Sequence, residues 1–334
     1  MLHTTETYQP LVSVIIPTYN RPEYLKQAIA SAVQQTYQNI EIIVCDNCSS
    51  VNPQPIVDAF DDSRIRFWRN SQNLGMVANI INGFKMARGK YVASLHDDDI
   101  WEKNFLEKLV PPLEADSNLA LAFCDHYMMN ADSEIDYAHT EYCSQVFKRD
   151  NLKEGVYQPF YEQGIVDMSV ASVVAAVIRK DVVDWDAFPV EAGGCYDLYL
   201  NYLCCRSGLG AYYYPERLAR FRTHAQSDTR TDDAQVRIRK ANNQIFCYEQ
   251  FIKDARLHEL HPYFHRRLLE ARYSLGMSLL QAKQPIAARS HFWHVIKNKK
   301  RSLRSIGAML LTFMPQSFTN RALDTNKIEL FVYK

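Results

Sequence analysis

The sequence predicts an α/β fold: a mostly parallel sheet with helices on both faces, followed by an α-helical extension. Three features carry this. Short apolar, β-branched runs alternate with helix-like segments through the first 125 residues. Turn-forming and charged residues gather just beyond the carboxyl ends of those runs. From Asp233 onward the pattern is helical. Strands alternating with helices at this pace form βαβ units around a buried parallel sheet.

The elements follow in order. Leu11–Ile16 is a buried strand stopped by Pro17, and a helix opens with Asn20 or Arg21 near its cap and Pro22 in its first turn. Ile40–Cys45 is a second strand, closed by the turn Asp46-Asn47-Cys48-Ser49-Ser50. Ile65–Trp68 is a short third strand. Met76–Ala87 is helical with Gly89 as a stop, and Lys90–Leu95 is the fourth strand. A helix over Glu102–Ala115 leads into a fifth strand, Leu119–Cys124. Residues 131–165, mixed polar and aromatic, read as a loop-rich excursion. Val170–Ile178 reads as a strand, Tyr196–Arg206 as a helix, and Ala211–Phe221 as a hairpin around Pro215. Amphipathic helices are expected near 234–254, 262–283, 285–297 and 302–314. The domain boundary expected is thus 1–229 for an α/β domain and 230–334 for the extension.

With 334 residues, 47% of them hydrophobic, the chain buries a sizeable core. Its zero net charge hides a split: residues 1–229 carry 19 Lys/Arg against 30 Asp/Glu, and residues 230–334 carry 19 against 8. A basic tail on an acidic body suits either a helical face packed on that body or an anionic membrane surface. Five cations, Lys297, Lys299, Lys300, Arg301 and Arg304, precede the apolar stretch Ile306–Met314. Peripheral membrane contact is therefore expected through residues 297–314. No nucleic-acid partner is expected. Eight irregularly spaced cysteines are not a disulfide framework, and the Cys45/Cys48 pair has no second half for a zinc site. Met1–Pro10 has neither a basic start nor an apolar core, and the run Met168–Ile178 is too short to span a bilayer. A cytoplasmic protein, peripheral at the inner face of the membrane, is the expectation.

In an open parallel sheet, ligands bind beyond the carboxyl ends of the strands where strand order reverses. The first strand delivers Pro17-Thr18-Tyr19-Asn20-Arg21 there, the second Asp46, and the fourth His96-Asp97-Asp98-Asp99. Three consecutive aspartates repel one another unless solvated or neutralised by a cation, and hard oxygen ligands suit Mg²⁺ or Mn²⁺. Asp99 also has a simpler reading, as a carboxylate at the N-terminus of the helix near Glu102. Neither common phosphate motif is present. No GxGxxG follows the first strand, and Gly83–Lys90 departs from a P-loop in glycine spacing and in having Tyr91 after its lysine.

These segments, Val14–Arg21, Glu41–Asp46, Asn73-Leu74-Gly75, Asn79, Ala87–Val92 and Leu95–Trp101, together resemble glycosyltransferase family 2, over roughly residues 10–228. The resemblance implies a GT-A fold and inverting sugar transfer from a nucleotide-diphosphate donor, UDP-linked by expectation, to a hydroxyl of a glycan or lipid-linked acceptor. Polysaccharide or cell-envelope biosynthesis is the implied setting. It also implies that Pro17, Thr18, Tyr19, Arg21, Asn79 and Asp97 line the nucleotide pocket and that Asp46 accepts a hydrogen bond from the base. Asp98 would hold the metal with help from Asp97. His96 departs from the family's first acidic position and reads as a solvated or stacking residue. Phe221-Arg222-Thr223-His224 resembles a segment that closes over the diphosphate, which makes His224 a further metal ligand. The family's Glu-Asp pair is missing from Gly193–Leu198, so Asp197 is the candidate base, with Glu191 as fallback. Two alternatives stay open: a nucleotidyltransferase, weakened by the lack of glycines in Pro17–Arg21, and a non-catalytic nucleotide-sugar-binding relative.

Overall fold

A computed structural model describes residues 9–170, 173–224, 233–298, 303–315 and 317–319. Chain contacts divide it into two units, Met1–Val190 with Tyr196–His224, and Glu191–Cys195 with Ala225–Lys334.

The first unit holds a nine-stranded sheet in the order β3-β2-β1-β4-β8-β6-β9-β5, with β7 pairing β9. The strands are β1 (Val12–Thr18), β2 (Ile40–Asp46), β3 (Ile65–Arg69), β4 (Tyr91–Ser94), β5 (Ile100–Trp101), β6 (Leu119–Met129), β7 (Gly155–Tyr157), β8 (Ala176–Arg179) and β9 (Gly210–Arg222). β1, β2, β3 and β4 are parallel, β8 reverses direction, and β6 and β9 run parallel to each other beyond it. Both β1 and β2 are buried along their whole length, as central strands covered on two faces must be. Helices α1 (Pro22–Val33), α2 (Gln54–Asp58), α3 (Met76–Met86), α4 (Phe105–Ala115), α5 (Tyr137–Val146) and α6 (Tyr196–Arg206) complete the unit. α1 begins as expected, with Arg21 as its N-cap and Pro22 at its first position.

Some expectations are corrected. The 131–165 segment contains α5, whose N-cap Asp136 accepts a hydrogen bond from the His139 amide. Only Ala176–Arg179 of the 170–178 run is a strand, and Val173–Ala175 forms a 3₁₀ turn. The hairpin expected around Pro215 is one continuous strand. β9 pairs β6 on both sides of a bulge, where the register jumps from Cys124–Tyr214 to Asp125–Arg217, so Pro215 and Glu216 are left outside the ladder. A bulge is where a strand tolerates a proline, which has no N–H to donate.

The second unit is helical: α7 (Ala234–Lys253), α8 (His261–Gln281), α9 (Pro285–Asn298) and α10 (Leu303–Leu311). Gly193 and Gly194 meet α7 through Asn243, which accepts from the Gly194 amide at 3.2 Å and donates to the Glu191 carbonyl at 2.9 Å. Among the described residues no helix is long and apolar enough to cross a membrane.

Candidate active site

Strand order reverses at β1 and β4, since β2 and β3 lie on one side of β1 and β4 on the other. The carboxyl ends of β1 and β4 therefore flank the crevice where an open sheet holds its ligand. β1 brings Pro17 and Thr18, both buried, and then Tyr19, which is 45% exposed. β4 runs directly into His96–Asp99.

The four residues after β4 do not act as one cluster. A tight turn, closed by the Asp99 amide on the His96 carbonyl at 3.1 Å, sends their side chains two ways. Asp97 turns towards β1. It accepts from the Thr18 hydroxyl at 2.8 Å, the Tyr19 amide at 3.3 Å and Arg21 Nη1 at 3.0 Å. The same Arg21 nitrogen lies 2.8 Å from Asp98 Oδ2, which also meets His224 Nε2 at 2.9 Å. His96, Asp98 and Asp99 offer ligand atoms all within 4.8 Å of one another.

The metal expectation is thereby rearranged. Asp98 sits at the centre as expected, with His224 on it. Asp97 is held by the loop after β1, and the ligand atoms that gather with those of Asp98 belong to His96 and Asp99. Asp99 is no helix cap, because α4 starts only at Phe105 with Asn104 before it. Its Oδ1 instead accepts from the Arg222 amide at 2.8 Å. His96 is partly exposed and its ring lies tilted against Tyr196 at 6.1 Å, but it is also bonded: its Nε2 meets the Tyr196 hydroxyl at 2.5 Å and its Nδ1 lies 3.7 Å from Asp99 Oδ2. The signal for both was present in the sequence as a four-residue polar turn, H-D-D-D, in which the first and fourth positions meet.

Electrostatics supports a cation here. Burial, together with the Asp98 charge, pushes Asp97 up to about 7 against the opposing pull of Arg21. Burial and Asp98 likewise hold Asp99 well above the usual carboxylate range, and burial lowers His96. Asp99 Oδ2 is buried without a hydrogen-bond partner. Clustered carboxyls that are raised by one another, with an orphaned oxygen among them and a neutral imidazole alongside, match the donor set of a hard divalent cation.

Arg222 lies two residues before His224. It is fully buried, and its guanidinium is committed to the frame: Nε donates to the Asp98 carbonyl, Nη1 to Ser133 Oγ and the Ala131 carbonyl, and Nη2 to Gln27 Oε1. It locks the end of β9 to the acidic turn. Nothing in the sequence separated it from other strand-end arginines.

Asp46 is also fully buried. It accepts from the Ser49 amide at 3.1 Å and the Ser49 hydroxyl at 2.5 Å, and Arg69 lies 3.5 Å away. In this arrangement it builds the loop after β2. Asn79 is similarly engaged, donating to the Cys45 carbonyl and accepting from Asn70, each at 2.8 Å.

Asp197 opens α6 one residue after Tyr196, the partner of His96. Burial pushes its carboxyl up to about 7, a hydrogen bond from Tyr196 opposes this, and its Oδ1 is buried and unpartnered. A carboxyl that gains and loses its proton near neutral pH is suited to acid–base chemistry. The fallback, Glu191, belongs to the second unit.

Comparison with known proteins agrees with this geometry. The model of glycosyl transferase family 2 matches residues 13–166. An uncharacterised glycosyltransferase of Rickettsia typhi is 28% identical over 244 residues, 73% of this chain and 70% of that protein. The Escherichia coli enzyme named UDP-Glc:alpha-D-GlcNAc-diphosphoundecaprenol beta-1,3-glucosyltransferase WfgD is 35% identical over 125 residues, 37% of this chain and 49% of that one. Two solved structures share the fold at low identity. The Pyrobaculum calidifontis mannosyltransferase PcManGT, in complex with GDP-Man and Mn²⁺, has TM-score 0.57 and 18% identity over 96% of this chain and 82% of its own. Staphylococcus aureus TarS 1–349 with UDP-GlcNAc has TM-score 0.62 and 12% identity over 95% and 93%. With an acidic turn and an arginine meeting at the switch point of the sheet, and with these relatives, residues 13–166 are a domain of glycosyl transferase family 2.

Proposed function

We propose that this glycosyltransferase moves a sugar, with inversion, from a UDP-linked donor to a hydroxyl of a glycan or lipid-linked acceptor, assisted by Mn²⁺ or Mg²⁺. The observation that carries the reading is the meeting of Arg21, Asp97 and Asp98 at the crevice between β1 and β4, with His96, Asp99 and His224 around Asp98. Residues 1–229 are assigned to catalysis and 230–334 to a basic extension.

Thr18, Tyr19 and Arg21 face the nucleotide, held in place by Asp97, while Pro17, Asp46 and Asn79 fix the loops that form its pocket. Asp98, His96, Asp99 and His224 would hold the cation, whose Lewis-acid charge stabilises the departing diphosphate. Arg21 adds a fixed positive charge at the same place. Asp197 takes the proton from the acceptor hydroxyl as that oxygen attacks the anomeric carbon from the face opposite the leaving group. Supporting the donor and acceptor classes are the names of relatives, a glucosyltransferase acting with UDP-Glc on a diphosphoundecaprenol-linked sugar among them.

Donor hydrolysis tests the reading. A panel of nucleotide sugars incubated with Mn²⁺ should yield free nucleoside diphosphate from at least one member. Asp98→Asn should lower that rate at least a hundredfold without changing the fold. Full activity in excess chelator would remove the metal from the mechanism, and inertness towards every donor would favour a binding relative.

A further inference from the structure

Helix α10 is packed inside out. Ser305 and Ala308 of α10, and Thr312 just past its end, are small or polar and buried, at i, i+3 and i+7. The large apolar Leu303, Ile306 and Leu310 of α10 and Phe313 in the turn after it are exposed, at 79%, 41%, 57% and 63%. A helix of a water-soluble core shows the reverse, since burying a leucine or phenylalanine contributes about 1.5–3 kcal/mol. α9 adds to this surface. Arg289 donates to Thr312 and lies 4.0 Å over the Phe313 ring, and on either side of it along α9 stand Ile286 and Trp293, both exposed. Lys297, one turn beyond Trp293, and Arg304 on α10 are exposed cations. Lys299, Lys300 and Arg301 lie outside the described residues.

We propose that α10 and the outer side of α9 form a surface that inserts shallowly into an anionic bilayer, with Leu303, Ile306, Leu310 and Phe313 in the acyl boundary and Trp293 at headgroup level. The inference rests on the lipid-linked acceptor reading and names its anchoring residues. Charge selects the occupant. A second copy placed face to face would set Lys297 and Arg304 against their equivalents in a segment carrying 19 cations to 8 anions. Anionic headgroups instead complement them, and tryptophan favours the interface.

The full chain should co-sediment with phosphatidylglycerol/phosphatidylcholine vesicles at low salt and bind pure phosphatidylcholine much less. Leu303→Ser/Ile306→Ser/Leu310→Ser/Phe313→Ser should lower the partition coefficient at least tenfold. These positions are exposed, so the variant keeps its fold, checked by circular dichroism. Brominated lipid should quench wild-type fluorescence, and Trp293→Phe should remove that quenching. Donor hydrolysis in solution should be unaltered in both variants, so loss of vesicle binding and loss of the transferase reading are separate results. Absence of vesicle binding, equal binding by the quadruple variant, a dimer that the variant dissolves, or binding that emerges only after removal of residues 320–334 would each overturn the proposal.

Discussion

Replacing Asp197 by asparagine tests the base with two independent readouts. The side chain keeps its shape and loses its ionisation. A positioned general base contributes about 10²–10⁴ in rate, so transfer should fall by that factor. Donor affinity should stay within twofold, because the carboxylate acts on the acceptor hydroxyl. In the wild type the rate should climb with pH as the carboxyl loses its proton and level off above about 7. The residual rate of the variant should lack that limb. Stability gives the second readout. The folded carboxyl is raised from 3.8 to about 7 by burial. Its contribution to stability is therefore fully present below the unfolded value and is lost as pH rises through about 7. At about 1.36 kcal/mol per pKa unit the full loss is roughly 4 kcal/mol, an upper bound for a side chain that is only partly buried. Urea unfolding of both proteins should show the variant gaining on the wild type by roughly 2–3 kcal/mol between pH 5 and pH 8. Taking the difference between the two proteins removes Asp97, which titrates in the same range, from the comparison. Near-wild-type transfer by Asp197→Asn, with Glu191→Gln inactive, would refute the assignment. A stability gap that does not change with pH would refute the burial argument.

Three further outcomes follow from the packing. Tyr196→Phe removes the hydroxyl that meets His96 and lowers the Asp197 carboxyl, so the ascending, acid limb of the pH–rate profile should move to higher pH while the donor KM holds. Gly83→Ala should destabilise by about 1–2 kcal/mol with transfer intact: its Cβ would lie 2.5 Å from Ile15 Cγ2, an overpacking cost that exceeds the roughly 1 kcal/mol gained in helix propensity. Arg149→Met should lower stability by about 3–5 kcal/mol in chemical unfolding, because buried Arg149 holds Asp125 at 2.6 Å. Burial would raise Asp125 and the Arg149 charge holds it low, so this contribution is present above the ordinary carboxylate range and is lost as pH falls through the depressed value.

The sequence by itself determined the α/β class, the strands β1 to β4 to within two residues, the start of β6 and the four helices of the tail, but not the two-residue β5 or the last five residues of β6. Those segments carry strong periodicity, and local punctuation such as Pro22 ends them where it predicts. It also determined that Thr18, Arg21 and the Asp97–Asp99 turn meet, because strands of a doubly wound sheet end at one edge. Tertiary structure decided what pattern and propensity do not encode. Pro215 bends no chain, since its place in β9 depends on the neighbour β6, which absorbs it in a bulge. Asp97 and Asp99 are chemically identical and two residues apart, yet one serves Arg21 and the other faces His96, because the turn closed by the Asp99 amide rotates them apart. Arg222 reads in sequence as one more strand-end arginine, and only the fold commits its donors to the Asp98 carbonyl, Ser133 and Gln27. The outward Leu303, Ile306 and Leu310 of α10 and Phe313 in the turn after it are likewise an ordinary amphipathic stripe in sequence. Which side of that stripe faced the helices was settled only by packing, with Ser305 and Ala308 turned inward.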